Sequence, residues 1–207
     1  VNLVCTSGIA YALTYPNFVL KKFLTVALLI TMFFGGGTVP TYILIQNLHL
    51  MDSWWALILP NAVLAYNVFV YRSFYNGIST EIREAAKIDG ASEFKILTGI
   101  YVPLSKALYA TFGLFSIVNV WNSYYDALLY IKTDKLLPIQ MILRKIVFVN
   151  SGLAAMSNSQ QMIGNGELNK LNVQYACVIA TILPVLILYP FLQKYFAQGM
   201  QVGAVKG

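Results

Sequence analysis

Side chains able to recognise a ligand stand out in this sequence because so little else is polar. One group falls at Asn119, Trp121, Asn122, Tyr124, Tyr125 and Asp126. Aromatic faces next to amides and a carboxylate suit a sugar, whose ring has an apolar side and a rim of hydroxyls. Asn61, Tyr66 and Asn67 make a sparser set of the same chemistry. In lipid such groups are expensive unless they face a cavity or another helix. They therefore read either as the lining of a solute path or as an interfacial belt bonded to a neighbouring protein. No GxxxxGK[ST] string occurs, so no phosphate-cradling loop is predicted. Cys5 and Cys177 lie in apolar runs and read as small buried hydrophobes. No metal-ligand spacing is present. The single histidine, His49, reads as a loop surface residue.

The elements that must carry these groups are membrane helices. Of 207 residues, 58% are hydrophobic and 11% charged, with mean hydropathy +0.65. A soluble domain has about 25% charged residues. The predicted fold is an all-α integral membrane bundle, a single domain over 1–207. A crossing needs about 20 helical residues. Residues 1–14 read as the tail of a span, and 23–45, 54–75, 104–129 and 173–196 as full ones. The chain opens on Val1 inside an apolar run, so this count of about five is read as a lower bound. Trp54 and Trp55 form an aromatic belt. Gly35, Gly36, Gly37 and Pro40 interrupt the second run, which a membrane helix survives only where neighbours or water satisfy its backbone. Net charge is +6. Lysine and arginine gather on the side holding Lys21, Lys22 and the 83–106 region, nine against five, so that side is cytoplasmic. The charge therefore marks inner loops and not a nucleic acid partner. The segment 130–172, with an amphipathic stretch at 137–149, is placed outside, and the glycine-rich tail 197–207 inside.

The most polar segment, 78–103, emerges between two apolar runs. Ile78, Ile82, Ala85 and Ala86 recur at helical spacing, with Glu81, Arg83, Glu84 and Lys87 to the sides and back. Ser79 or Thr80 caps the start, and Gly90 ends the helix in a left-handed conformation, just after Asp89. Ser92 then caps a second helix running toward Ile100 and Pro103. The product is helix, sharp turn, helix. Two small alanines allow close approach of a partner, with Ile82 as an apolar knob and Glu84 as a directional charge. The competing reading is a loop helix resting on lipid headgroups.

At these residues the sequence resembles the inner-membrane permease subunits of binding-protein-dependent ABC importers. Their signature is Glu-Ala-Ala, three residues, Gly, nine residues, Ile-x-Leu-Pro. Glu84, Ala85, Ala86, Gly90, Ile100 and Pro103 match it, with Val102 in place of leucine. The string EAAKIDGAS, the segment NVWNSYYDAL and the tail GMQVGAVKG are similar to the carbohydrate, maltose-type branch, and to the second permease of its pair. The resemblance implies a multi-pass permease of six spans in a bacterial plasma membrane. It further implies a related second permease, two cytoplasmic ATPase subunits holding ATP and Mg, an extracytoplasmic solute-binding protein, and an oligosaccharide as solute. No cofactor is expected on this chain, which is not itself an enzyme. The resemblance makes 78–103 the coupling loop, with Ile82, Glu84, Ala85, Ala86, Asp89, Gly90, Ile100 and Pro103 at the ATPase. The same architecture serving an amino acid or phosphonate, or a channel without an ATPase, remains open at this point.

Overall fold

The computed structural model describes residues 1–156, 172–187 and 189–190. Among the described residues all regular structure is helical. Several helices stop where glycines cluster or a proline follows, whereas lone glycines such as Gly8 and Gly113 are carried inside helices. Helix α1 (Asn2–Thr14) ends just before Tyr15 and Pro16. Helix α2 (Lys21–Phe33) stops at the three glycines, the last of which, Gly37, has φ +82°. Helix α3 (Thr38–Asn47) then begins, with Pro40 in its first turn, where a missing N–H has no helical partner to lose. Helix α4 (Trp54–Ile58) is capped by Ser53 and gives way before Pro60. Helix α5 (Ala65–Asn76) follows.

The polar segment forms α6 (Thr80–Ile88) and α7 (Glu93–Ile96), and α7 continues through a π-helical turn at Leu97–Tyr101 into α8 (Val102–Leu104). The wide turn lies just ahead of Pro103, whose ring cannot share an ordinary α-helical ladder. At Ser105 the chain bends by 86° into α9 (Lys106–Asn122). Helix α10 (Tyr125–Tyr130), a short tight turn at Asp134–Leu136, α11 (Ile139–Met156) and α12 (Asn172–Ile187) complete the described chain.

The long runs are therefore not the unbroken helices that hydropathy suggests. Run 23–45 divides at the glycines, 54–75 at 59–64, and 104–129 at Ser105 and again at 123–124. Among the described residues no single helix is long and apolar enough to cross a membrane; residues 93–104 with α9 pass that test only as a bent pair. The physical reason is local: Pro60 removes a donor, and Ser123 donates its own hydroxyl to the Val120 carbonyl (2.8 Å) where the ladder ends. The amphipathic stretch at 137–149 is helical from Ile139, and α11 runs on to Met156. The expectations for 157–171 and for the tail at 197–207 lie outside the described residues, as does the end of the last run.

The main core joins α1, α5, the 93–104 segment and α9. Ala10, Leu13, Val68, Tyr71, Tyr75 and Ile96 are almost wholly buried in it. Its tyrosines meet edge to face: Tyr11 on Tyr101 (4.9 Å between centroids), Tyr75 on Tyr101 (5.3 Å), and Tyr71 on Tyr109 (5.3 Å) and Phe112 (5.2 Å). Each such pair contributes about 0.5–1.5 kcal/mol beyond burial. The hydroxyls of Ser7, Tyr75 and Tyr109 bond one another and stitch α1, α5 and α9 together. A smaller core of Ile45, Ala56 and Tyr130 joins α3, α4 and α10.

Candidate functional site

The elbow is built by local chemistry. The Ser79 hydroxyl accepts from the Glu81 amide (3.3 Å), and Glu81 sits at the positive end of α6. At the other end Gly90 has φ +77°, the Ala91 amide donates back to the Ala86 carbonyl, and the Gly90 amide to Lys87, both at 3.0 Å. This pair of reversed bonds is the glycine-ended stop that the spacing predicts, and both alanines of its apolar clasp pack on the main core. The Ser92 hydroxyl accepts from the Lys95 amide (3.4 Å) and starts the second helix. Ile100 packs against the core, while Pro103 and Asp89 are exposed.

The faces of α6 differ from the expectation in one respect. The apolar stripe splits: Ile78 and Ala86 turn inward onto the core, whereas Ile82 and Ala85 are exposed, with Glu84 on the flank. Ile88, absent from the sequence reading, is 88% exposed beside them. Arg83 does not lie at the back; it is buried under the helix. The cause is a set of partners distant in sequence. Its guanidinium rests on the ring of Tyr15 (4.1 Å) and beside that of Tyr11 (5.3 Å), and it pairs with Glu93 (3.2 Å). Lys87 also points inward, donating to Glu93 (2.7 Å) and to the Tyr15 hydroxyl (3.0 Å).

The Tyr11 hydroxyl donates to the same Glu93 carboxylate (2.5 Å). Burial pushes the Glu93 carboxyl up, but bonds from Lys87 and Tyr11 and the charge of Arg83 outweigh it and hold the group down at about 2. Lys87 is raised in turn, first by Glu93 and then by Tyr15. The outcome is a helix whose charged side is fastened to α1 and α7 and whose small apolar side is bare.

The second region lies at the opposite ends of α5 and α9. Asn61, in the break before α5, donates to the Asp126 carboxylate of α10 (3.1 Å), while the Asn61 carbonyl accepts from Asn2 of α1 (2.8 Å). Two of the sequence-selected residues thus meet across three elements. Trp121 donates its indole N–H to the Thr181 carbonyl of α12 (3.1 Å), and the Tyr124 ring lies under the Arg144 guanidinium of α11 (4.7 Å). Asn119, Asn122 and Tyr125 are exposed near the end of α9, and Asn67 is half-buried on α5. Tyr66 is not brought to this group; it lines an apolar groove with Leu29, Phe33 and Phe69, between α2 and α5.

Nearby, Asp52 adopts φ +58° and accepts from the amides of Lys132 and Thr133 (both 2.8 Å) and from the Thr133 hydroxyl (2.6 Å). The Thr133 hydroxyl, then the two amides, hold its carboxyl below the usual range. Sequence alone offered no signal for this clasp, because an aspartate in a loop has no distinctive spacing.

The family model for binding-protein-dependent transport system inner membrane components matches residues 6–202, and the chain belongs to that family. It is 38% identical over 207 residues to Protein LplC of Bacillus subtilis (strain 168), spanning 100% of this chain and 69% of that protein. To the polygalacturonan/rhamnogalacturonan transport system permease protein YtcP of the same organism it is 38% identical over 208 residues, spanning 100% and 72%. Among solved structures, it superposes on a chain of a bacterial ABC transporter involved in the import of the acidic polysaccharide alginate. The TM-score is 0.78 at 29% identity, over 92% of this chain and 67% of that one.

Proposed function

We propose that this chain is one of two multi-pass permease subunits of an ATP-driven importer in the plasma membrane, forming half of the path for an oligosaccharide. Its partners are a second, related permease, two ATPase subunits that hold ATP and Mg, and an extracytoplasmic solute-binding protein. The ATPase subunits grip the elbow at 78–103. The observation that carries this reading is the bare face of α6. Ile82 and Ala85 are exposed on a helix whose cationic side is already engaged by its own chain. A headgroup-bound helix would turn its cations to the lipid and its apolar side into the bilayer; here Arg83 and Lys87 are spent on Glu93 and the tyrosines. Asp89, Gly90, Ile100 and Pro103 hold that face in place, and Glu84 on the flank adds charge.

Polar side chains at the far end, Asn61 with Asp126, Asn119, Asn122 and the aromatic residues Trp121, Tyr124 and Tyr125, supply the sugar path. Relatives that transport polygalacturonan or alginate support an acidic oligosaccharide, and the guanidinium of Arg144 stacked on Tyr124 is a group able to receive its carboxylate. The test is ATP-dependent uptake by the assembled importer in proteoliposomes. Labelled oligogalacturonides and neutral arabino-oligosaccharides are compared with amino acids. Sugar uptake is expected, with the acidic sugar reduced several-fold by Arg144→Gln. Uptake of amino acids alone overturns the sugar reading, and acidic-sugar uptake left unchanged by Arg144→Gln overturns the acidic one.

A further inference from the structure

The elbow is joined covalently only to α5, through Gly77, and to α9, through the bend at Ser105. Its link to α1 is different in kind. The Glu93 carboxylate receives Arg83 and Lys87 from α6 and the Tyr11 hydroxyl from α1, and Tyr15, just past the end of α1, carries both cations on its ring (4.1 and 4.5 Å). Three elements separated by up to 82 positions in the chain thus meet on one carboxylate. Apolar contacts of Ala86, Ala91 and Ile96 already seat the elbow on the core. The ionic knot at its edge adds what packing lacks, a directional tie that resists sliding of α6 past α1. Glu93 lies between the matched Gly90 and Ile100 and is no part of the signature itself.

We infer that Glu93 is a positioning residue for energy transfer: it locks the elbow to α1, so that a pull on α6 moves α1 together with α5 and α9. This rests on the reading of the elbow as the ATPase seat. With the lock closed, α1, the elbow and α9 travel as one body, and α1 carries the motion on through the Ser7, Tyr75 and Tyr109 hydroxyls. With it open, α6 swings between Gly77 and Ser105 while α1 stays behind.

The assembled importer, with Cys5 and Cys177 replaced by serine and spin-labelled through Val4→Cys on α1 and Glu81→Cys on α6, tests this without a transported solute. Both positions are exposed. In the otherwise unaltered complex the label distance should be the same with and without ATP and vanadate. In Glu93→Gln it should shift by about 3 Å or more on nucleotide binding, the rise of roughly two helical residues, and Glu93→Asp should restore most of the invariance. A Glu93→Gln distance that ignores nucleotide overturns the proposal, as does a nucleotide-dependent distance in the parent complex. Ile82→Asp, measured in parallel, is expected to release the ATPase subunits on purification. If they stay bound, the seat itself is wrong, whatever Glu93 does.

Discussion

The two ends of this bundle are held by different physics. At the elbow end, rings pack edge to face inside a buried core, and two cations at its rim, Arg83 and Lys87, are held by Glu93 and the tyrosines Tyr11 and Tyr15. At the other end the helices stop short around a smaller core, and polar bonds at partly exposed side chains add to it, as between Asn61 and Asp126 or between Asp52 and residues 132–133. Buried packing is stiff, because every neighbour is in contact. Exposed hydrogen bonds trade with water at small net gain. On the function proposed above, the stiff end transmits displacement and the other rearranges around a passing solute.

That contrast breaks most readily at Tyr71, wholly buried between α1, α5 and α9. Tyr71→Ala should lower stability by about 3–5 kcal/mol, read as a fall in thermal unfolding temperature of the purified complex. Its hydroxyl, however, has no hydrogen-bond partner among the described residues. Tyr71→Phe should therefore be neutral or slightly stabilising, and a loss matching that of alanine would show that the hydroxyl is satisfied after all.

Gly90→Val should come next. A Cβ there meets nothing within 4 Å, so the whole effect arises from φ +77°. The strain is about 1–3 kcal/mol, more for a β-branched residue than for alanine. Uptake should fall sharply with the protein still present in the membrane, and Gly90→Ala should lose less. Unchanged uptake in the valine variant would sink the account of the turn.

Smallest is the outer clasp. Asp52→Ala should speed amide exchange at Lys132 and Thr133 and leave the elbow untouched. The sign of its pH dependence follows from a carboxyl held below its ordinary value of 3.8. The clasp's contribution is complete above that pH and disappears as the pH falls through the lower folded value. Protection of these two amides, relative to their intrinsic exchange rates, that is insensitive to acid would remove the carboxylate from the explanation.

What could be read from the sequence is what neighbours in the chain decide. Ser79, Gly90 and Ser92 act within four residues of themselves, so the helix, the stop and the restart were all legible. The division of α6 into an engaged side and a bare side was not, because Arg83 answers to Tyr11 and Tyr15, about seventy positions earlier. Periodicity alone grouped Ala86 with Ala85, although one packs inward and the other faces out. Hydropathy likewise detected apolar runs but not their interruptions; three glycines announce the first break and Pro60 the second, whereas the break at 123–124 rests on Ser123 turning its hydroxyl back to Val120, which no spacing marks. The membership of Asn61 and Asp126 in one group was legible as chemistry, and their meeting was not.

The right-angled bend at Ser105 makes 93–104 a crank arm. Twelve helical residues give it a reach of about 18 Å. A twist of α9 by about 10° around its own axis sweeps the far end through about 3 Å. Rotations too slight to register along the bundle are thus magnified at Glu93, and a small force applied there is a large torque about α9.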